Sequence, residues 1–277
     1  MPTRIYKNRP EQDPRTPLRQ HMSLEALRHV LGSGQLRLTR TDQFPDPFEG
    51  SVPKKQIDDQ LPLFSSRNTF HNGSDEPWLG SGGQWLAPSL DPWAEMTMRR
   101  RAKTRSAHAS CWSLGPESEA MWRLYCNDAG IHGQGVAIEY TLGSLEESIA
   151  HLDLYTSPIQ YRYYHEGPAF NDELDSYFHK RLGFAHEAEL RLLQYDDNHY
   201  LQHALSIAER SPEPAPLPMH VFLPWAGRRT LSRILVSPYA NPEYEALVGT
   251  TVRNIDPGIV QHVQLSVLSD RLHPPQF

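Results

Sequence analysis

Five consecutive residues concentrate the chemistry of this chain: Glu187-Ala188-Glu189-Leu190-Arg191. In an extended strand, alternate side chains share a face. Glu187, Glu189 and Arg191 would then line one face, with Ala188, Leu190 and Leu192 on the other. Three charges opposite an apolar face fit a strand that looks into a cleft. They also fit an edge strand whose charged face is solvated. In a cleft, paired carboxylates can move protons or stabilise a developing positive charge.

Other segments could join such a site. In Phe44-Pro45-Asp46-Pro47-Phe48-Glu49 the prolines fix φ and the aromatics can anchor the loop. Asp46 and Glu49 would be presented on a stiff turn, or simply cap it. Ser110 and Ser113 flank Cys111-Trp112. Neither serine has a histidine at motif spacing, so a serine nucleophile is not supported. Met121-Trp122-Arg123-Leu124-Tyr125 offers aromatics for core packing or for stacking on a flat ring. His199 and His203 stand four apart, but no HExxH and no paired cysteine supports a metal site. Glycine-rich dinucleotide and P-loop motifs are also lacking. The basic run at 99–105 reads as a solvated helix face, with a phosphate-facing role as the alternative.

These residues need elements to hold them. Residues 4–7 predict a short strand, followed by a polar, proline-bearing loop. Ser23 fits an N-cap, with Leu24, Leu27 and Leu31 at helical spacing and Gly32 and Gly34 as the stop. Leu36 and Leu38 alternate with polar residues in a strand. Residues 52–105 lose periodicity and read as a long insertion, with one helix at 92–101. Further strands are expected at 107–113, 136–140, 159–164, around Glu187, at 231–237 and at 262–268. Helices are expected at 117–125, 142–151, 171–182 and 242–249. Short strands mixed with a few helices, without βαβ alternation, predict an α+β fold.

Composition sets the frame. The chain has 277 residues, 38% of them hydrophobic, and two cysteines. That length fits one large domain burying roughly 75% of its unfolded surface. The mean hydropathy is -0.59, and no apolar run is long enough to cross a membrane. Residues 1–10 lack an apolar signal core, and Cys111 reads as a buried thiol, so a reducing, cytoplasmic setting is expected. The net charge of -6 argues against indiscriminate nucleic-acid binding.

Taken in order, the motifs resemble a bacterial family of unknown function. Its pattern is an early Tyr-Lys, Phe-x-Asp-Pro-Phe-Glu, a Cys-x-Ser strand, Met-Trp-x-x-Tyr, Gly-x-x-Ile and a late Glu-x-Glu-x-Arg. Here these are Tyr6-Lys7, Phe44 to Glu49, Cys111-Trp112-Ser113, Met121 to Tyr125, Gly135 to Ile138 and Glu187 to Arg191. The likeness spans about residues 4–240, and the chain departs from the pattern in its 52–105 segment. The family is distantly similar to the ADP-ribosyltransferase superfamily, including its DNA-modifying toxins. That resemblance implies a split mixed or antiparallel sheet flanked by helices, with NAD as substrate in the cleft. It makes Glu189 the catalytic glutamate, with Glu187 orienting or deprotonating the acceptor. It puts Arg4 or Lys7 on the NAD phosphates or ribose, has Ser110 and Ser113 shape the nicotinamide pocket with Trp112 or Tyr125 stacking on it, has Arg191 hold the glutamates ionised, and counts Tyr6, Asp46 and Glu49 among the cofactor-binding residues. The implied role is a toxin or defence protein that modifies a protein or nucleic acid.

Two other functions fit the same residues. Asp42, Asp46, Glu49, Glu187 and Glu189 could hold Mg²⁺ in a nuclease. A nuclease would want lysine where Arg191 stands, because arginine cannot lose its proton to activate water. Alternatively the fold is a binding module, with Trp78, Trp85 and Trp93 as a partner surface.

Overall fold

The computed structural model describes residues 3–6, 12–59, 92–165, 169–170, 172–209 and 211–269. It is α+β, with a mixed ten-stranded sheet flanked by helices. The strands are β1 (Arg4–Ile5), β2 (Pro17–Met22), β3 (Gln35–Arg40), β4 (Ala107–Leu114), β5 (Val136–Thr141) and β6 (Tyr155–Pro158). They continue with β7 (Gln160–Arg162), β8 (His179–Arg181), β9 (Glu189–Tyr195), β10 (His220–Pro224), β11 (Arg233–Val236) and β12 (Val263–Leu265). The main order is β1-β6-β9-β4-β2-β5-β11-β12, with β3 joining β4 to β10. The β1–β6 and β11–β12 pairs are parallel and the other pairs in this sheet antiparallel. β7 and β8 form a separate parallel pair.

The sheet opens at one seam. β4 pairs with β9 along its whole inner edge, Ala107↔Tyr195 to Ser113↔Glu189. Its other edge meets β2 only at Arg19↔Ser113 and Leu18↔Leu114. The same edge meets β3 only at Thr39↔Ala109 and Arg40↔His108. Ser110, Cys111 and Trp112 therefore have no strand partner on that side, and β2 diverges from β4 beyond Arg19. The Gln20 side chain spans the gap, its Nε2 lying 2.9 Å from Ser110 Oγ.

Local signals explain the helices beside the seam. In α1 (Leu24–Ser33) the Ser23 hydroxyl accepts from Ala26 N at 3.1 Å. Gly34 stops that helix in the left-handed conformation, φ 64°, its N–H returning to Val30 O. The helix buries Leu27 and Leu31 in the main core with Leu18, Trp112, Tyr140, Leu190, Leu192 and Trp225. α2 (Pro92–Arg105) runs one turn past its expected end, and α3 (Glu119–Tyr125) packs on β2. α4 (Leu142–Ile149) carries a Thr141/Ser144 capping box. α5 spans Asp197–Glu209, and α6 spans Pro242–Ile255 behind an Asn241 cap.

Several expectations are corrected. The 171–182 stretch is a 3-10 turn, Glu173–Tyr177, followed by β8, because a bulky Tyr177-Phe178 pair fills the core there. The 159–164 strand divides into β6 before it and the short β7. Residues 12–22 were expected as loop throughout, yet β2 lies there; Leu18 and Met22 give it a core face. The first strand stops at Ile5, and Lys7 lies outside the described residues. So do Trp78, Trp85 and the Trp93 side chain. Among the described residues no helix is long and apolar enough to cross a membrane.

Candidate functional site

A cavity of about 490 Å³ occupies the seam, within the usual range for small-molecule sites. β2 and α1 bound it on one side, and β4, the 44–49 loop and residues 180–189 on the other. Register decides which side chains share its wall. Arg19 stands level with Ser113, and Ser113 with Glu189. Two residues further along β2, past the point where it leaves β4, His21 shares the face of Arg19, and on β4 Cys111 pairs with Arg191. The sheet face at the seam thus carries Arg19, His21, Cys111, Ser113, Glu189 and Arg191.

Glu187 reaches this face by a different route from the one the sequence suggests. It ends a 3-10 segment, Leu182–Glu187, and is not part of the strand. Ala188 then takes a left-handed conformation, φ 43°, before β9 begins at Glu189. This kink is held by Ser113 Oγ, which donates to Glu187 O at 2.6 Å, and by Leu114 N donating to Ala188 O.

The charges form one buried cluster. Lys180 Nζ lies 2.5 Å from Glu187 Oε2 and 2.6 Å from Glu189 Oε2. Arg191 Nε donates to Glu189 Oε1 at 2.7 Å, and its NH1 to Glu49 Oε1 at 2.6 Å. NH1 also donates to Tyr177 O, and Arg191 is completely buried. The Tyr125 hydroxyl closes the cluster from α3 by donating to Glu187 Oε1. Three carboxyl groups thus face two cations. Lys180 directs its hydrogen bond at Glu187, so its contact with Glu189 Oε2 is an ion pair without hydrogen-bond geometry.

Glu189 and Glu49 differ in their electrostatics. Burial alone would push the Glu189 carboxyl up, but Arg191 and Lys180 outweigh it and hold it down at about 2. Burial wins at Glu49, whose carboxyl is raised despite Arg191. Burial opposes charge on Lys180, but the glutamates more than restore it, so the ammonium is held above its ordinary range. Burial and then Glu189 push the Cys111 thiol well up, which makes it a poor nucleophile.

The other expected residues separate into two groups. Glu49 arrives on the 44–49 loop, where Asp46 Oδ1 accepts from Phe48 N and from Arg181 NH2. Arg100 of α2 holds the same loop through Glu49 O and Pro47 O. Asp46 therefore builds the turn, and much of the basic run is spent on the loop and on Glu213 and Asp42. Ser110 lies on the wall with its hydroxyl on Gln20. Trp112 sits 1% exposed against Tyr140 and Trp225, with no ring face left for a ligand. Arg4 and Tyr6 do not line the cavity. Arg4 pairs with Asp153 over the Tyr155 ring, and buried Tyr6 donates to Asp175 and stacks on Phe178. β1 follows the far edge of the sheet, so a basic residue there cannot reach the seam.

Among the wall residues that escape a reading of motifs are Gln20, His21 and Lys180. His21 packs edge-on against Trp122, and neither ring nitrogen has a partner. Burial and then Arg19 push its pKa down to about 4, so the imidazole is neutral. The alternation of apolar Leu18 and Met22 with polar neighbours is the signal that could have located β2. For Lys180 the helical expectation across 171–182 hid a three-residue strand. His199 and His203 lie elsewhere, with His199 on Ser106 and Ala215 O. Among the described residues no group of three or more His, Cys, Asp or Glu could hold a metal ion. No family model, curated protein or solved structure matches the chain.

Proposed function

We propose that the chain is an NAD-consuming ADP-ribosyltransferase, built on an ADP-ribosyltransferase-like split sheet and acting as a toxin or defence protein on a macromolecular acceptor. The observation that carries this reading is the convergence of buried Glu49, Glu187 and Glu189 at the seam cavity. In the proposed reaction the nicotinamide–ribose C–N bond breaks, and its electron pair neutralises the pyridinium nitrogen. The anomeric carbon becomes cationic. An acceptor O–H or N–H then bonds to that carbon and gives its proton to a carboxylate.

An ionised, buried carboxylate such as Glu189 suits the first half, because fixed charge facing a developing cation is a strong catalytic device. Glu189 takes that role, its Oε2 available to a ribose hydroxyl. Glu187, at the Tyr125 side of the cluster, receives the acceptor proton. Ser110, Ser113, Tyr125 and the unpaired His21 nitrogens supply polar contacts on the cavity wall. Arg4, Tyr6 and the Trp112 ring drop out of the NAD site on geometric grounds. Lys180 and Arg191 place two cations among these carboxyl groups, where they would repel a divalent cation, which favours this reading over the nuclease.

Glu189→Gln keeps the side-chain shape and removes the charge. We expect NAD consumption by purified protein to fall by about 10²–10³-fold. Unchanged turnover in this variant would remove Glu189 from the mechanism. Divalent-dependent cleavage of nucleic acid by a wild-type protein inert toward NAD would replace the whole reading with the nuclease.

A further inference from the structure

β8 stands outside the main sheet and carries a cation on each of its faces. Alternation sends Lys180 and Arg181 opposite ways. Arg181 goes out to Asp46, and Lys180 goes to the cavity wall. A lysine head group keeps its water unless anions replace it. The Lys180 side chain is 9% exposed, and two carboxylates, Glu187 and Glu189, take the place of that water. The Phe184 ring stands 5.5 Å from the ammonium.

Arg191 does not duplicate this arrangement. Its guanidinium is committed to Glu189 Oε1, to Glu49 and to Tyr177 O. Among the described residues, Lys180 is the cation ion-paired to Glu187. Glu187 Oε2 and Glu189 Oε2 meet the same ammonium, at 2.5 and 2.6 Å. Two buried carboxyl groups so close together cannot both stay ionised without a cation between them. An ammonium is a compact point charge that fits between two carboxylates, whereas a guanidinium fork spreads over one. The other groups facing the pair are not cations. Tyr125 donates to Glu187, and Tyr161 accepts the Glu189 N–H on its hydroxyl. The Cys111 thiol lies beside Glu189, and Glu49 adds a further carboxyl group.

We propose that Lys180 is a positioning residue of the seam site, which keeps Glu187 and Glu189 ionised together and fixed side by side. Its hydrogen bond goes to Glu187 Oε2, so Glu189 Oε2, buried and without a hydrogen-bond donor, is left for a hydroxyl of the ligand. The charge-sharing role stands on the geometry of the cluster. Its effect on turnover rests on the ADP-ribosyl-transfer reading.

Lys180→Met keeps an unbranched stem and removes the charge. Infrared difference spectra over a pH series read protonated carboxyl groups directly and need no substrate. Removing an opposite charge at this distance should raise the apparent pKa of the pair by about 1–3 units. The carboxylic-acid band of Lys180→Met should therefore persist to higher pH than that of wild type. Adding Glu187→Gln should remove most of this shift, because Glu189 then has no carboxylate beside Lys180 to repel it. The acid limb of NAD consumption should move up with the band, so that turnover on that limb falls roughly tenfold or more. Lys180→Arg returns the charge and should return the limb towards its wild-type position. His21 titrates in the same window but alike in every variant.

A uniform loss of turnover with an unmoved limb and an unchanged carboxyl band would make Lys180 a structural residue and overturn the proposal. If Lys180→Met fails to fold but the double variant folds, the unshared charge is the cause and the proposal stands. If both fail while Glu187→Gln alone folds, the proposal falls. A shifted carboxyl band in a protein that leaves NAD intact would sink the transfer reading and leave the pairing role standing.

Discussion

Glu189 and Glu49 hang on one guanidinium yet shift in opposite directions. Glu189 draws on both Arg191 and Lys180, whereas Glu49 has Arg191 and feels the Glu189 charge beside it. Burial outweighs Arg191 at Glu49, so Glu49 is the group that keeps a proton to higher pH. Its contribution to stability is present below its ordinary range and fades as pH rises through its folded value. Glu189 behaves oppositely: its contribution holds above 4.5 and is lost as pH falls towards about 2. His21 titrates earlier. Its folded pKa of about 4 lies below the ordinary 6.5, so between these values the unfolded chain binds a proton that the folded chain refuses. Stability must therefore fall as pH drops across that window, by up to about 3 kcal/mol from this residue. Burial also lowers His108 and His203, so the wild-type slope is shared. Urea unfolding of His21→Gln between pH 7 and 4 should show a shallower loss than wild type. Parallel curves would mean that His21 is solvated and does not face the cavity as a neutral acceptor.

At the scale of elements, the kink at Ala188 sets Glu187 off the strand that carries Glu189. A left-handed residue with a Cβ costs about 1–2 kcal/mol, and a β-branched one more. Ala188→Gly should therefore hold or raise stability by up to about 1 kcal/mol, and Ala188→Val should lower it, both read from denaturant midpoints. The opposite order would show that residues 187–189 run straight. This kink also shows why the alternation of Glu187, Glu189 and Arg191 was only half right. The pattern found the charged wall, but no local signal marks an alanine for positive φ. Ser23, Gly34 and the Leu27/Leu31 spacing made α1 legible because caps and periodicity act within a few residues. Glu189 and Arg191 were legible for the same reason, while Lys180 and His21 were not. Their places depend on β8 and on the β2–β4 register, which pairs residues some 90 positions apart. The 44–49 motif was visible as a stiff loop, but only the tertiary contact with Arg191 shows that it delivers Glu49.

For the whole molecule, the seam divides the sheet into β1-β6-β9-β4 and β2-β5-β11-β12, joined at two residue pairs and by the Gln20 bridge. A ligand in the cavity would touch both parts and supply contacts that the strands do not make across the gap. Anything that binds the folded state alone stabilises it by mass action, about 2.7 kcal/mol at a hundredfold excess over Kd. For a chain of this size that corresponds to roughly 5 °C or more in Tm. Glu189→Gln is the form to use, since it should hold NAD without consuming it. We expect NAD to raise the Tm of this variant and to slow amide exchange at residues 20–23 and 109–112, on both lips of the seam. Gln20→Ala should lower the Tm without ligand and leave the NAD-induced increment in place. Protection confined to one lip would put the ligand beside the seam, and no shift at millimolar NAD would remove NAD as the occupant of this cavity.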